Sequence, residues 1–179
     1  GGIASGRSRR FVGTAARGRT AWVYREDVGT QRVGLRGGAF THSGGEQNST
    51  ITGVNDGGYV IGTSQLYGDF GVLVAQHGWF HDMATNTTVG LSFDAMSDGY
   101  AWTLPEIVTD SGLVLGRYRA FAPDDTWLGE RVFVWSMAMG FAQLDDLVAG
   151  GMPSAGLGGL SSVFSARDLS LVIGYASVM

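Results

Sequence analysis

The stretch Gly53-Val54-Asn55-Asp56-Gly57-Gly58-Tyr59-Val60-Ile61-Gly62 decides the reading of this chain, because it returns as Ile107-Val108-Thr109-Asp110-Ser111-Gly112-Leu113-Val114-Leu115-Gly116. A third copy, Phe164-Ser165-Ala166-Arg167-Asp168-Leu169-Ser170-Leu171-Val172-Ile173-Gly174, carries one inserted residue. A degenerate copy at the start of the chain is expected to close at Phe11-Val12-Gly13. The closing glycines then recur at intervals of about fifty to sixty residues, which is the signature of a modular array. Within each copy an Asn/Asp/Gly turn separates two apolar runs. Asn or Asp bonds the nearby backbone there, and Gly takes the positive φ that a tight hairpin needs. The runs Tyr59-Val60-Ile61, Leu113-Val114-Leu115 and Leu171-Val172-Ile173 have the length of buried strands.

A second motif repeats in phase with the first. Ala21-Trp22-Val23-Tyr24, Gly78-Trp79-Phe80-His81 and Val132-Phe133-Val134-Trp135 are aromatic strands, and each is followed by a shorter apolar stretch: Val33-Gly34-Leu35, Val89-Gly90-Leu91 and Ala142-Gln143-Leu144. One unit therefore reads as strand, turn, strand, loop, aromatic strand, turn, short strand. Gly62, Gly116 and Gly174 are expected to let backbone or an aromatic ring approach closely. Trp22, Trp79 and Trp135 are expected to pack between neighbouring units. Residues 143–148 could form one helical turn and nothing longer.

The expected fold is all-β: tandem four-stranded antiparallel units in a β-propeller-like array, about three blades, partial or open. The units are placed at residues 1–48, 49–104 and 105–160, with a partial fourth at 161–179, in one domain. A propeller normally closes with four to eight blades. Three therefore imply an open fan with exposed edge strands, or a ring completed by other chains.

Composition narrows the function. The chain has no cysteine and no lysine, so disulfides, thiolate chemistry and a phosphate-binding Gly-Lys-Ser/Thr loop are excluded. No Gly-x-Ser-x-Gly elbow is present. No apolar run is long enough for a membrane-spanning helix. Through Arg36 the chain carries eight arginines against Glu26 and Asp27, while the remainder is acidic. That asymmetry reads as a solvated first unit, and no nucleic-acid partner is expected.

The repeats resemble those of the HAF-repeat family of bacterial, mostly exported proteins, whose unit runs "aINdsGqVvGxs", "hAFlW" and "mxdLGtLGG". Gly53 to Ser64 and Ile107 to Gly116 resemble the first element, Val132-Phe133-Val134-Trp135 the second, and Leu35-Arg36-Gly37-Gly38 the end of the third. The literal His-Ala-Phe is missing, since His42, His77 and His81 stand in other contexts. The resemblance implies a propeller-like array, export to the cell envelope or beyond, and no catalytic residues to carry over.

Candidate sites are few. Trp127, Trp102 and Tyr67 lie off the core motif and are the candidates for a platform binding a glycan or protein ligand. Asp56, Asp110 and Asp168 recur at one point of each unit and are candidate oxygen ligands for calcium. His81 and His77 could share a metal if Asp69 folded back. Asn48-Ser49-Thr50 and Asn86-Thr87-Thr88 match the glycosylation sequon in segments that read as polar loops. The leading expectation is a non-enzymatic extracellular scaffold or binding module. The competing one is a glycan-active hydrolase or lyase, which would gather two or more of Asp69, Asp82, Asp124 and Asp125 at one mouth. The pair Asp145-Asp146 is a weaker acid-base candidate. A third possibility is an arc of a larger ring with no separate activity.

Overall fold

The structure, a computed structural model, describes residues 2–147, 157–168 and 171–178, with part of the side chains beyond residue 157 also outside the described set. The described residues are all-β, with three short 3₁₀ turns and no α-helix. The first group of strands comprises β1 (Ile3–Val12), β2 (Ala15–Arg25) and β3 (Gly29–Val33). The second comprises β4 (Gln47–Val54), β5 (Tyr59–Tyr67), β6 (Leu73–Asp82) and β7 (Thr87–Leu91). The third comprises β8 (Ala101–Val108), β9 (Val114–Phe121), β10 (Trp127–Ser136) and β11 (Gly140–Gln143). A hairpin of β12 (Leu157–Asp168) and β13 (Leu171–Val178) follows. One of the 3₁₀ turns, Leu144–Leu147, falls where the sequence allowed a single helical turn.

Neighbours within each group are antiparallel. The groups are not separate sheets, as tandem antiparallel units would be. Two short parallel bridges, Gly18–Gln47 with Arg19–Asn48 and Ala75–Ala101 with Gln76–Trp102, join them into one mixed sheet of eleven strands. The sheet runs from β1 to β11 without closing, and β12–β13 forms its own ladder.

Register shows how deep the repeat goes. In β4 opposite β5, pairing steps from Ile51–Gly62 to Gly53–Ile61, leaving Thr52 as an extra residue. The same one-residue bulge leaves Glu106 extra opposite Gly116 and Phe164 extra opposite Gly174. A bulge bends its strand and increases the local twist. An added Cβ at Gly62, Gly116 or Gly174 would collide with the Thr50, Leu104 or Ser162 carbonyl oxygen. The repeated glycine is thus the partner of a repeated bulge. On its other side Gly62 meets the Trp79 ring and Gly116 the Phe133 ring.

This pairing corrects two alignments. In the first group the glycine beneath an aromatic ring is Gly6, opposite Trp22, whereas Gly13 lies in the β1–β2 turn. In the third group the ring over the glycine belongs to Phe133, opposite Gly116. Trp135 lies two residues further along, at the place His81 holds in the second group.

Alternation along each strand sends side chains to opposite faces, and in the second and third groups both faces are apolar because both are covered. Ala21, Val23 and Val33 of the first group pack with Val60, Trp79 and Met83 of the second. Ile61, Phe80 and Leu91 pack with Val114, Tyr118, Phe133 and Trp135 of the third. The opposite face of the third group, with Leu115, Val132 and Val134, packs on Val163 of β12. Trp79 and Trp135 therefore lie between groups, and Trp22 sits half-buried on the uncovered face of the first.

Candidate functional site

Two junctions between strand groups use the same positions and end differently. At the first junction three polar or flexible side chains fill the space beside the β6–β7 turn. Gln31 donates from Nε2 to the Met83 carbonyl at 3.1 Å, and its Oε1 lies 3.2 Å from His81 Nε2. The Arg25 guanidinium lies over Gly58. Met83 is fully buried. His81 is buried too, with Nδ1 2.9 Å from Thr88 Oγ1, and burial lowers its pKa below the usual imidazole value.

At the second junction Val89 stands where Gln31 does, Asp82 where Arg25 does, and Met137 where Met83 does. A short apolar side chain and a short acid replace two long polar ones. Met137 turns outward, with 65 % of its surface exposed against 0 % for Met83. What remains is a cleft of about 470 Å³, lined by Tyr59, Phe80, Asp82, Val89, Ser111 and Met137 among others. That size lies within the range of small-molecule sites.

The cleft walls are held by packing and turn bonds. Tyr59 and Phe80 have ring centroids 5.3 Å apart, and Phe80 rests on Trp135 at 5.2 Å. Tyr59 is placed by the turn before it, where Asn55 Oδ1 accepts from the Tyr59 N–H at 2.9 Å and Gly58 has φ +90°. Asp82 accepts from the Ala84 N–H at 2.8 Å and the Thr85 hydroxyl at 3.0 Å. A carboxylate has about four lone-pair sites, so Asp82 keeps capacity to accept from a ligand. Thr85, Thr87, Ser111 and Ser136 put hydroxyls on the rim. The arrangement offers an aromatic floor, one anion and several hydroxyls.

Of the three aromatic residues singled out from the sequence, Trp102 and Trp127 each neighbour Arg119, but Trp102 does not line the hollow that holds Trp127. The Arg119 guanidinium sits 5.3 Å over the Trp102 ring and 5.8 Å over that of Tyr100, and it bonds the Tyr100 hydroxyl. Arg119, Tyr100, Phe121 and Trp127 line a shallow hollow of about 280 Å³, and Trp127 is 63 % exposed. Trp102 also lies under Arg117, which bonds Glu106 at 2.8 Å and Glu130 at 2.9 Å. The bond to Glu106 raises the Arg117 pKa. Tyr67 does not join them. It holds Phe121's place in the second group, takes a bond from Asn48 Nδ2 at 3.0 Å and meets the His42 ring. The same amide donates to Gln65 at 2.9 Å, so the first sequon asparagine is committed to packing.

The metal candidates do not assemble. Among the described residues no three His, Asp or Glu side chains converge on a metal-binding point. Asp56 and Asp110 are exposed at successive turns, and the side chain of Asp168 lies outside the described residues. His77 and His81 are four residues apart on β6, about 13 Å at strand rise. His81 bonds Gln31 and Thr88, whereas His77 meets Phe40 and Ser92.

The loop acids are taken up by structural bonds, Asp124 within its own loop and Asp125 and Asp145 to neighbouring segments. Asp125 accepts from the Ser97 N–H at 2.7 Å and from its hydroxyl, and Asp124 from the Thr126 N–H at 3.1 Å. The Thr126 bond lowers the Asp124 pKa. Asp145 accepts from the Leu160 N–H at 3.0 Å. Asp82 lies at the end of β6, whereas Asp69, Asp124 and Asp125 precede the starts of β6 and β10. A ten-residue strand spans about 30 Å, so Asp82 does not share a mouth with the other three.

No protein-family model matches the chain, and neither a curated protein nor a solved structure matches it.

Proposed function

We propose that this chain is a non-enzymatic binding module, a propeller-like array of the HAF-repeat kind exported to the cell envelope or beyond, whose second junction binds a glycan. The contrast between Met83, buried at the first junction, and Met137, exposed beside an open cleft at the second, carries this reading. A packed frame has no use for that gap, and the gap falls on an aromatic floor. A sugar ring suits the lining: its apolar face stacks on Tyr59, and its hydroxyls reach Asp82, Thr85 and Ser111.

Support for the propeller-like arrangement comes from the first strands of successive groups. Thr52 Oγ1 donates to the Pro105 carbonyl and Asn55 Nδ2 to the Thr109 carbonyl, both at 2.6 Å. Strands β4 and β8 thus lie side by side while the second and third groups pack face on face, as blades do around an axis. Support for a non-enzymatic role comes from Asp82, which faces the cleft without a second of the four loop carboxylates.

The test is a titration with a panel of neutral and amino-sugar oligosaccharides, read by tryptophan fluorescence, since Trp135 lies directly behind Phe80. Binding is expected to be saturable and to weaken at least tenfold in Tyr59→Ala. Equal binding by wild type and variant, or no binding across the panel, refutes the cleft assignment. Release of reducing ends or unsaturated sugars refutes the non-enzymatic reading in favour of a hydrolase or lyase.

A further inference from the structure

We infer that the free edge of β1 is a docking site for an extended strand of the β4 type, seated antiparallel with its bulge opposite Gly6. Strand β1 holds the place in the first group that β5, β9 and β13 hold in the others. Gly6 lies opposite Trp22 as Gly62 lies opposite Trp79 and Gly116 opposite Phe133. Each of the three later strands has a bulged neighbour on its other side, namely β4, β8 and β12. Among the described residues β1 pairs with β2 alone.

Gly6 shows the vacancy at atomic scale. At Gly62, Gly116 and Gly174 an added Cβ would meet the bulged strand's carbonyl oxygen. At Gly6 the three nearest atoms all belong to the Trp22 ring, the first at 2.7 Å, and no carbonyl oxygen lies as close as those three. The space is an open groove of about 430 Å³ between the β1 edge at Ser5, Gly6 and Arg7 and the β4 segment from Thr50 to Val54, crossed by a bond that Arg7 Nη1 donates to Thr50 Oγ1 at 3.1 Å and that an incoming strand would displace. One group further on, the corresponding space between β5 and β8 is filled by β4. That strand makes its ladder with β5 and sends Thr52 and Asn55 to carbonyls of β8.

These contacts define the occupant. It is an extended strand whose edge completes the β1 ladder, with a hydroxyl residue at the bulge and an Asn or Thr three residues later to reach the β4 carbonyls. It needs no bulky side chain where it crosses Gly6. Unpaired strand edges bind extended peptides through main-chain hydrogen bonds, and side-chain pockets set the sequence.

The probe is a fluorophore-labelled peptide of residues 46–56, which carries the β4 sequence, added to the whole chain and followed by anisotropy. Saturable binding is expected, weakened at least tenfold when the peptide carries Ile51→Pro and Gly53→Pro, changes that leave the protein untouched. Gly6→Val in the protein, checked by its melt, should weaken binding by a similar factor, because the new side chain fills the place of the incoming carbonyl. Gly6→Ala is the milder variant if the first melts low. Equal binding by both peptides, or binding untouched by the Gly6 changes, overturns the assignment. So does a dimer of the chain that the peptide fails to dissociate, since the edge would then be covered by a second copy. Failure here would leave glycan binding at the second junction intact, because that cleft lies between β5–β7 and β9–β10.

Discussion

Replacing Gly62 by alanine adds one methyl group at the most constrained point of the frame. The new Cβ would collide with the Thr50 carbonyl oxygen on one side and stand 2.8 Å from Trp79 Cε2 on the other. Neither neighbour can yield cheaply. Thr50 is paired in the β4–β5 ladder, and β4 is tied to β8 through Thr52 and Asn55. Trp79 has no exposed surface and lies within the cluster joining the first two groups. Overpacking a filled site costs about 1–3 kcal/mol, and a collision with both backbone and a buried ring belongs at the upper end. Removing glycine's flexibility from the unfolded chain returns about 0.4–1 kcal/mol, leaving a net loss of about 2–2.6 kcal/mol. For a chain of this size that lowers Tm by roughly 4–10 °C. The assay is thermal unfolding followed by near-ultraviolet circular dichroism. Gly38→Ala is the control, since a Cβ there meets no atom within 4 Å and the backbone φ is not in the left-handed region. A Gly62→Ala protein melting within about 2 °C of Gly38→Ala would refute the bulge register and the frame built on it.

The remaining predictions concern charge and the junctions. His81 and His77 have pKa values lowered by burial, so the unfolded chain takes up protons first as pH falls. The stability they contribute is present above the unfolded imidazole value near 6.5 and is lost on acidification through the folded values; Tm should fall between pH 7.5 and 5, and His81→Gln should flatten that fall. Asp27 and Asp124, with carboxyl pKa values lowered by the Arg25 and Thr126 hydrogen bonds, contribute in the same direction only below about pH 4. Arg117→Met should cost about 1–2 kcal/mol in denaturant unfolding, because it strips Glu106 and Glu130 of a shared partner in a partly buried site; no change in midpoint would show the network to be idle. The double change Val89→Gln with Asp82→Arg rebuilds the first junction's chemistry at the second, and should abolish glycan binding without lowering Tm; retained binding would show that the ligand sits elsewhere.

The hairpins were legible because their chemistry is local. Asn55-Asp56-Gly57-Gly58 and Thr109-Asp110-Ser111-Gly112 form the turns their residues call for, with Gly58 and Gly112 both at positive φ. The order of strands through β4–β7 and β8–β11 follows the sequence pattern for the same reason. Long-range registration was less legible. Gly13 resembles the closing glycine of a repeat because Phe11 and Val12 precede it, yet the position belongs to Gly6, and only the Trp22 ring across the pair reveals this. Trp135 drew the alignment by its identity, while Phe133 covers Gly116; either ring can fill the space above a glycine. The parallel bridges at Gly18–Gln47 and Ala75–Ala101 are two residues long and leave no periodic trace, so the mixed character of the sheet was not visible.

The cleft was invisible for a different reason, and that reason bears on what it does. Gln31 and Val89 occupy equivalent places on edge strands, as do Arg25 and Asp82 in the strands beside them, and none of the four breaks the strand pattern. The difference is only in reach: Gln31 spans the junction to Met83 and His81, whereas Val89 stops short. Such a gap would close if its walls could relax toward each other, since empty apolar space forfeits dispersion contacts. Here they are propped apart. The Tyr59–Phe80–Trp135 stack fixes one dimension, and the ladders that carry those rings fix the other. A site held open by its frame need not order loops when a ligand arrives, which reduces the entropic cost of binding. The repeat thus supplies a rigid junction twice, and exchange of a few side chains at its edge turns one copy from a packed junction into an open cleft.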